Sequence, residues 1–198
     1  MSKAVMLSIR PKWVEKIANG KKTIEVRKTK PKLETPFKCY IYCTRDKHLA
    51  FMQNQTGTNL IACMDVDAAI PVGGAIGNGK VIGEFVCDCV TPLYNVCMDD
   101  WKRLSGGLHN IEKELVNQAC LTEAKFHTYA GGKNCFAWHI SDLRIYDTPK
   151  ELSEFKTLCR VDADCCACPY YNYTKMDCDG QVIGRPPQSW CYVDDANA

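Results

Sequence analysis

The decisive stretch of this sequence is Gly20-Lys21-Lys22-Thr23-Ile24-Glu25-Val26-Arg27, where a helix-to-strand turn carries two lysines, a carboxylate and an arginine. Before it, Trp13, Val14 and Ile17 recur at helical spacing, and Pro11 suits the first turn of a helix. Its first residue, a glycine, can take the left-handed conformation in which helices end. The sequence therefore predicts a helix that ends at this glycine and a strand that begins soon after it.

The predicted strand carries its polar residues on one face. Two apolar residues alternate with Thr23, Glu25 and Arg27, and alternate residues of a strand point to opposite sides. The polar side chains then form a rigid row, with Lys22 at the turn that leads into it. This pattern predicts a basic pocket around Lys22, Glu25 and Arg27. A solvated strand face with an ordinary surface ion pair is the alternative interpretation.

The same stretch resembles the signature of the ASCH domain family, a branch of the PUA-like β-barrels. That signature is Gly-x-Lys-x-x-x-x-Arg after the first helix, and Gly20, Lys22 and Arg27 match it. Three other stretches are similar to family segments: Leu7-Ser8-Ile9-Arg10-Pro11-Lys12-Trp13, Gly79-Lys80-Val81-Ile82-Gly83-Glu84-Phe85 and Phe136-Ala137-Trp138-His139-Ile140. The tail from Arg185 to Val193 resembles a phage or prophage-type subgroup.

The resemblance implies an α+β fold, a PUA-like (ASCH) β-barrel with flanking helices. We expect residues 1–150 to form this barrel domain, and residues 151–198 to form a Cys-rich C-terminal extension that packs on it. A chain of 198 residues with 46% hydrophobic content has enough apolar residues for one such core. Two consecutive prolines favour an extended segment from Gln188 to Val193, which could add an edge strand to the barrel.

The charge is unevenly distributed along the chain. Residues 1–50 hold thirteen Lys or Arg against four Asp or Glu (+9), whereas residues 51–198 hold twelve against nineteen (−7). Basic side chains beside aromatic ones suit an anionic partner, and single-stranded RNA recognition combines both. We therefore expect RNA or a modified nucleoside as the ligand. Lysine-rich outer faces of ordinary strands remain the alternative. The residues expected to bind the ligand are Arg10, Lys12, Trp13, Lys21, Lys22, Glu25 and Arg27.

The resemblance also implies a second possible function, because some small ASCH proteins are amidohydrolases that act on acetylcytidine. Lys22 matches the catalytic lysine of those enzymes, whereas Glu25 stands where they have a threonine. Lys22 and Glu25 are therefore the candidate catalytic residues for hydrolysis of an acylated nucleoside. A third possibility is a phage protein that binds a host protein.

Six cysteines are concentrated in the last forty residues, and Cys165 and Cys168 have the Cys-x-x-Cys spacing of metal ligands. We expect a structural zinc ion with Cys159, Cys165, Cys168 and Cys178 as ligands, and Cys166 or Cys191 as substitutes. Packed free thiols and disulfides are the alternatives. The eight cysteines before residue 150 are interpreted as core residues, Cys43 among them. His139 is interpreted as a hydrogen-bonded structural residue.

No nucleotide cofactor is expected. The segment from Gly74 to Val81 has phosphate-loop spacing, but a valine replaces the magnesium-binding hydroxyl residue and a strand follows it. The sequence has no apolar run of membrane-spanning length and no signal-peptide pattern, so a cytoplasmic protein without membrane contact is expected. The patterns further predict a short helix near residues 48–53, a strand over 80–90 and one helix over 110–126.

Overall fold

The computed structural model describes residues 3–53, 58–63, 74–94, 110–158, 171–172, 174, 177–178 and 180–195. Within these residues the fold is a mixture of α and β structure. The strands are β1 (Lys3–Ile9), β2 (Ile24–Arg27), β3 (Phe37–Cys43), β4 (Leu49–Gln53), β5 (Asn59–Cys63), β6 (Ala75–Ile76), β7 (Lys80–Cys87), β8 (Val90–Leu93), β9 (Cys135–His139), β10 (Ser141–Glu151), β11 (Tyr171–Asn172), β12 (Asp177–Cys178) and β13 (Trp190–Asp194). The helices are α1 (Pro11–Ala18), α2 (Asn110–Gln118) and α3 (Glu123–Ala130).

The largest sheet has five strands in the order β10-β7-β3-β1-β13. Strands β1 and β3 are parallel, and the other neighbouring pairs are antiparallel. Alternation along the strands gives the sheet two buried faces. Leu7 and Ile41 point into one core, whereas Met6 and Tyr40 point into another. The first core also holds residues of α1, while Phe155, Ile183 and Val193 cover the second.

A three-stranded sheet, β2-β9-β8, packs next to the first core. Trp138 of β9 is fully buried there, and its ring contacts Phe37 edge to face. On the opposite face of β2, Ile24 and Val26 pack with residues of α2 and α3. The polar residues of β2 therefore face away from the two helices, as the alternating pattern predicts.

The barrel expected from the family resemblance is not closed in the described part of the chain. Closure requires hydrogen bonds between the first and last strands of a sheet. Here the described strands leave β10 and β13 as the two edges of the five-stranded sheet. The chain passes from β9 into β10 through a kink, where Asp142 has a positive φ of 46° and the pairing register shifts. The observed architecture is therefore a set of packed open sheets.

The helix predicted near residues 48–53 is wrong, because Leu49–Gln53 forms β4 instead. Asn78 binds two residues along one edge of this strand, since its amide nitrogen donates to the Leu49 carbonyl and its oxygen accepts from the Phe51 N–H, each at 2.8 Å. Burial of the Phe51 ring in the first core adds to these bonds. Local sequence pattern did not reveal either interaction, because both partners lie outside the segment.

Two other element boundaries differ from expectation. The single helix predicted over 110–126 is two helices, separated by a turn in which Cys120 has a φ of 56°. The strand predicted over 80–90 ends at Cys87, and β8 begins at Val90. The edge strand predicted in the tail is confirmed, because β13 pairs antiparallel with β1.

The prediction that the early cysteines are all core residues is only partly confirmed. Four of them are buried: Cys39, Cys43, Cys87 and Cys135. Cys63 and Cys89 are exposed, so the prediction is wrong for these two. Cys89 lies between the end of β7 and the start of β8.

Candidate functional site

The site centres on an ion-pair chain along the polar face of β2. The Lys22 ammonium lies 3.2 Å from one Glu25 oxygen, and the Arg27 guanidinium lies 3.0 Å from the other. All three side chains are buried, with 4–8% of each residue exposed. Residues 25 and 27 share a strand face, which explains why their charges meet. The structure thus brings the three residues into one cluster, although most charge runs lie on solvated surfaces.

Every N–H of the Lys22 ammonium has an acceptor. Besides Glu25, it donates to the carbonyls of Ile24 at 2.7 Å and Ala119 at 2.9 Å. An ammonium has three donors, so these contacts use all of them. The Trp13 ring lies on a further side, 5.5 Å from the nitrogen. In this arrangement Lys22 anchors Glu25, and its donors are engaged within the protein.

Arg27 is fixed by residues from both ends of the chain. Its Nη1 donates to the Ser189 carbonyl at 3.1 Å and to the Ser189 hydroxyl at 3.2 Å. Its Nη2 donates to the Ser8 carbonyl at 2.8 Å and pairs with Glu25. The Ser8 hydroxyl in turn donates to the Pro187 carbonyl at 2.6 Å. The tail segment before β13 is therefore a structural part of this cluster.

A cavity of about 1160 Å³ lies over the cluster and is partly open to solvent. The ends of β1 and β2, the start of α1, one face of α3 and the tail segment 186–189 form its walls. Six basic side chains and one carboxylate line it: Arg10, Lys12, Lys22, Arg27, Lys28, Lys125 and Glu25. Because Lys22 and Arg27 are buried in ion pairs, the four remaining cations are the exposed ones. The cavity is therefore strongly basic around its rim.

Two aromatic rings also line the cavity, Trp13 from α1 and Tyr129 from α3. Each has a cation near its face, with the Lys12 amine 4.9 Å from the Trp13 ring centre and the Lys28 amine 5.4 Å from that of Tyr129. Tyr129 is 39% exposed, and burial of its phenol raises the pKa of its hydroxyl. Flat rings beside cations can hold a nucleobase and a phosphate together.

Of the residues predicted to bind ligand, Lys21 alone does not line the cavity. It is exposed and lies 4.0 Å from Glu15. Sequence reasoning missed Lys28, Lys125 and Tyr129. Lys28 directly follows the recognised signature, but the other two come from α3, and no local pattern links that helix to β2.

The remaining candidates lie elsewhere. His139 is half-buried, and its Nδ1 lies 2.6 Å from an Asp88 oxygen, in keeping with its interpretation as a hydrogen-bonded residue. This bond holds the pKa of the Asp88 carboxyl below its ordinary value. Cys43 is fully buried, and burial raises the pKa of its thiol to about 12. Of the predicted metal ligands, Cys159, Cys165 and Cys168 lie outside the described residues.

Comparison with known families agrees with the signature around Gly20. The family model of the ASCH domain matches residues 7–104. The chain carries an ASCH domain. The match includes α1, β2 and the buried cluster, but the tail segment that holds Arg27 lies beyond it.

Solved structures show the same fold. A crystal structure of the ASCH protein of Zymomonas mobilis has a TM-score of 0.50 at 17% identity, covering 97% of this chain and 88% of that one. A mutant of that protein matches with the same score and identity, covering 97% and 91%. At this identity the likeness concerns the fold alone. No curated protein matches the sequence. In the described part of the chain, no helix is long and apolar enough to span a membrane.

Proposed function

We propose that this ASCH domain protein binds RNA in the cavity over Glu25. The observation that carries the proposal is a buried carboxylate, clamped between Lys22 and Arg27, beneath a rim of four exposed cations and two aromatic rings. The rim cations can neutralise phosphates, and the rings can stack on bases. Glu25 retains free lone pairs for an amine on a nucleobase edge.

The size of the cavity favours a polymer over a single nucleoside. Pockets for small molecules measure roughly 300–1,000 Å³. The volume here is about 1160 Å³, and one side is open. A strand of a few nucleotides can occupy such a space with its ends in solvent, whereas one nucleoside would leave much of it filled with water.

Salt-dependent binding tests the proposal. Lys12→Ala and Lys125→Ala remove rim cations from two different helices, and both side chains are exposed, so folding should be preserved. Each should weaken binding of a fluorescent oligoribonucleotide and flatten the slope of log K against log salt by about 0.7, the value for one phosphate contact with a single strand. Anisotropy titrations at several salt concentrations measure this slope.

The matched control is Lys156→Ala. Lys156 follows Phe155, which packs on the far face of the five-stranded sheet, and it does not line the cavity. The Lys156→Ala variant should bind the oligoribonucleotide as tightly as the wild type does. Absence of measurable RNA binding by the wild type at low salt would contradict the proposal, and a host protein would then be the partner to seek.

Hydrolysis of an acylated nucleoside is the alternative function at the same residues. It requires Lys22 to release its proton or exchange its contacts, and all three of its donors are engaged. We therefore expect no turnover of acetylcytidine. Turnover by the wild type that disappears in Lys22→Ala would favour the enzyme over the RNA-binding protein.

A further inference from the structure

The loop that follows β2 separates two cavities. Lys28 and Thr29 line the large cavity described above. Lys30, the next residue, lines a second cavity of about 430 Å³. Its other walls include Glu34, Thr35 and Phe37. Three consecutive residues thus form a ridge between the cavities, which we name the 28–30 ridge.

The 28–30 ridge is tied to the five-stranded sheet. The Trp190 indole N–H donates to the Thr29 hydroxyl at 2.9 Å. Further along the loop, the backbone N–H of Lys32 donates to the Tyr192 hydroxyl at 2.7 Å. Both aromatic residues belong to β13, at the edge of the sheet. The ridge therefore has a defined position between the cavities.

Each side of the ridge presents an exposed cation beside a ring. The Lys28 amine lies 5.4 Å from the Tyr129 ring centre, and the Lys30 amine lies 5.7 Å from that of Phe136. Lys28 and Lys30 are two positions apart, so their Cα atoms are separated by at most about 7 Å. That distance is short enough for the two lysine side chains to contact phosphates of one nucleic-acid strand.

We propose that the second cavity is a subsite for the same RNA strand, which crosses the 28–30 ridge on leaving the large cavity. Lys30 binds a phosphate there. The Glu34 carboxylate would repel a phosphate, so it faces the ribose and accepts a hydrogen bond from the 2′-hydroxyl, with Thr35 beside it. This inference rests on the proposed function and specifies its ligand as an oligoribonucleotide that extends beyond one cavity.

The test compares a short and a long probe. Cytidine monophosphate is too short to span both cavities, whereas an oligoribonucleotide of about eight nucleotides can reach both. Lys30→Ala should weaken binding of the oligonucleotide by about fivefold and leave binding of the mononucleotide unchanged. Lys28→Ala should weaken both. Lys156→Ala is the control, and thermal melting checks that each variant folds.

A second readout concerns the sugar. The wild type should bind the RNA strand more tightly than DNA of the same sequence, and Glu34→Ala should reduce this preference. Equal binding of the long probe by Lys30→Ala and wild type would overturn the second subsite while leaving the large cavity as a binding site. Binding of neither probe by the wild type would overturn the proposed function and this inference together.

Discussion

Ser189 accepts two hydrogen bonds from the Arg27 guanidinium, through its carbonyl and its hydroxyl, although the residues are 162 positions apart. Only the carbonyl contact is independent of the side chain. Ser189→Ala should therefore lower the free energy of unfolding by about 1.5–3 kcal/mol, the usual range for a hydrogen bond to a charged group. It should also weaken RNA binding, because Arg27 helps to hold Glu25 under the cavity.

Urea unfolding and anisotropy titration measure the two effects. Ser189→Thr retains a hydroxyl and should restore both. If Ser189→Ala binds RNA like the wild type while it is less stable, the residue supports the fold without positioning the site.

Lys22 is expected to contribute more to stability than its neighbour in sequence. Lys22→Met removes the charge that compensates Glu25 and leaves two carbonyls without a donor. Loss of one partner of a buried ion pair costs about 3–5 kcal/mol. Lys21→Met is the matched control, because Lys21 is exposed and a surface substitution changes stability by about 0.5 kcal/mol or less. Similar unfolding midpoints in urea for the two variants would contradict the anchor role.

Alkaline pH should destabilise the protein in a defined window. Burial raises the pKa of the Cys43 and Cys87 thiols from 9.0 to about 12, and at Cys87 the negative charge of Asp88 adds to this. Between these values the unfolded chain loses protons that the folded chain keeps. The free energy of unfolding should thus be unaffected by these groups below pH 9.0 and fall from there towards about pH 12.

Urea unfolding under reducing conditions at several pH values measures this dependence. Cys87→Ala removes one of the two thiols, so its stability should fall less steeply than that of the wild type. A free energy of unfolding that stays constant above pH 9.0 would show that the thiols ionise freely in the folded protein.

The cysteines of the C-terminal extension lead to a prediction about metal. Cys178 lies in β12, which pairs with β11 in a two-stranded ribbon. Cys191, by contrast, packs against the second core, and burial raises the pKa of its thiol to about 11. A protonated, packed thiol is a poor zinc ligand, since metals bind the thiolate. We therefore propose Cys178 with Cys159, Cys165 and Cys168 as ligands of one zinc ion.

Elemental analysis of protein purified without chelator should give about one zinc per chain. Cys178→Ser should lose the metal, whereas Cys191→Ser should retain it. Zinc far below one equivalent in the wild type, with all thiols open to titration, would support packed free thiols instead.

The sequence best predicted the structural features that depend on residues close together in the chain. The period of α1, the glycine turn and the alternation of β2 each follow from contacts within a few positions, and Gly20 has the expected positive φ of 68°. The same alternation placed Glu25 and Arg27 on one face, and the tail prolines preceded a real edge strand.

Distant contacts account for what the sequence did not reveal. Asn78 holds β4 in place by hydrogen bonds, and the sequence of β4 alone does not predict these bonds. Tyr129 and Lys125 enter the cavity because α3 packs on β2 through residues such as Phe126. The two edges of the five-stranded sheet are set by the pairing of β10 with β7 and of β13 with β1, which are distant from them in sequence. The division of the chain at residue 150 and the zinc ligands remain predictions.

The pairing of β1 with β13 sets the order in which the site can be completed during translation. The Ser8 hydroxyl binds the Pro187 carbonyl across 179 positions. Ribosomes add about 5–20 residues per second, so the nascent chain waits roughly ten to forty seconds between these two residues. During that interval β1 has an unpaired edge, the kind of surface that invites aggregation. Arg27 also lacks the contacts of Ser189 until then, so the nascent polypeptide acquires a complete cavity only after its tail has left the ribosome.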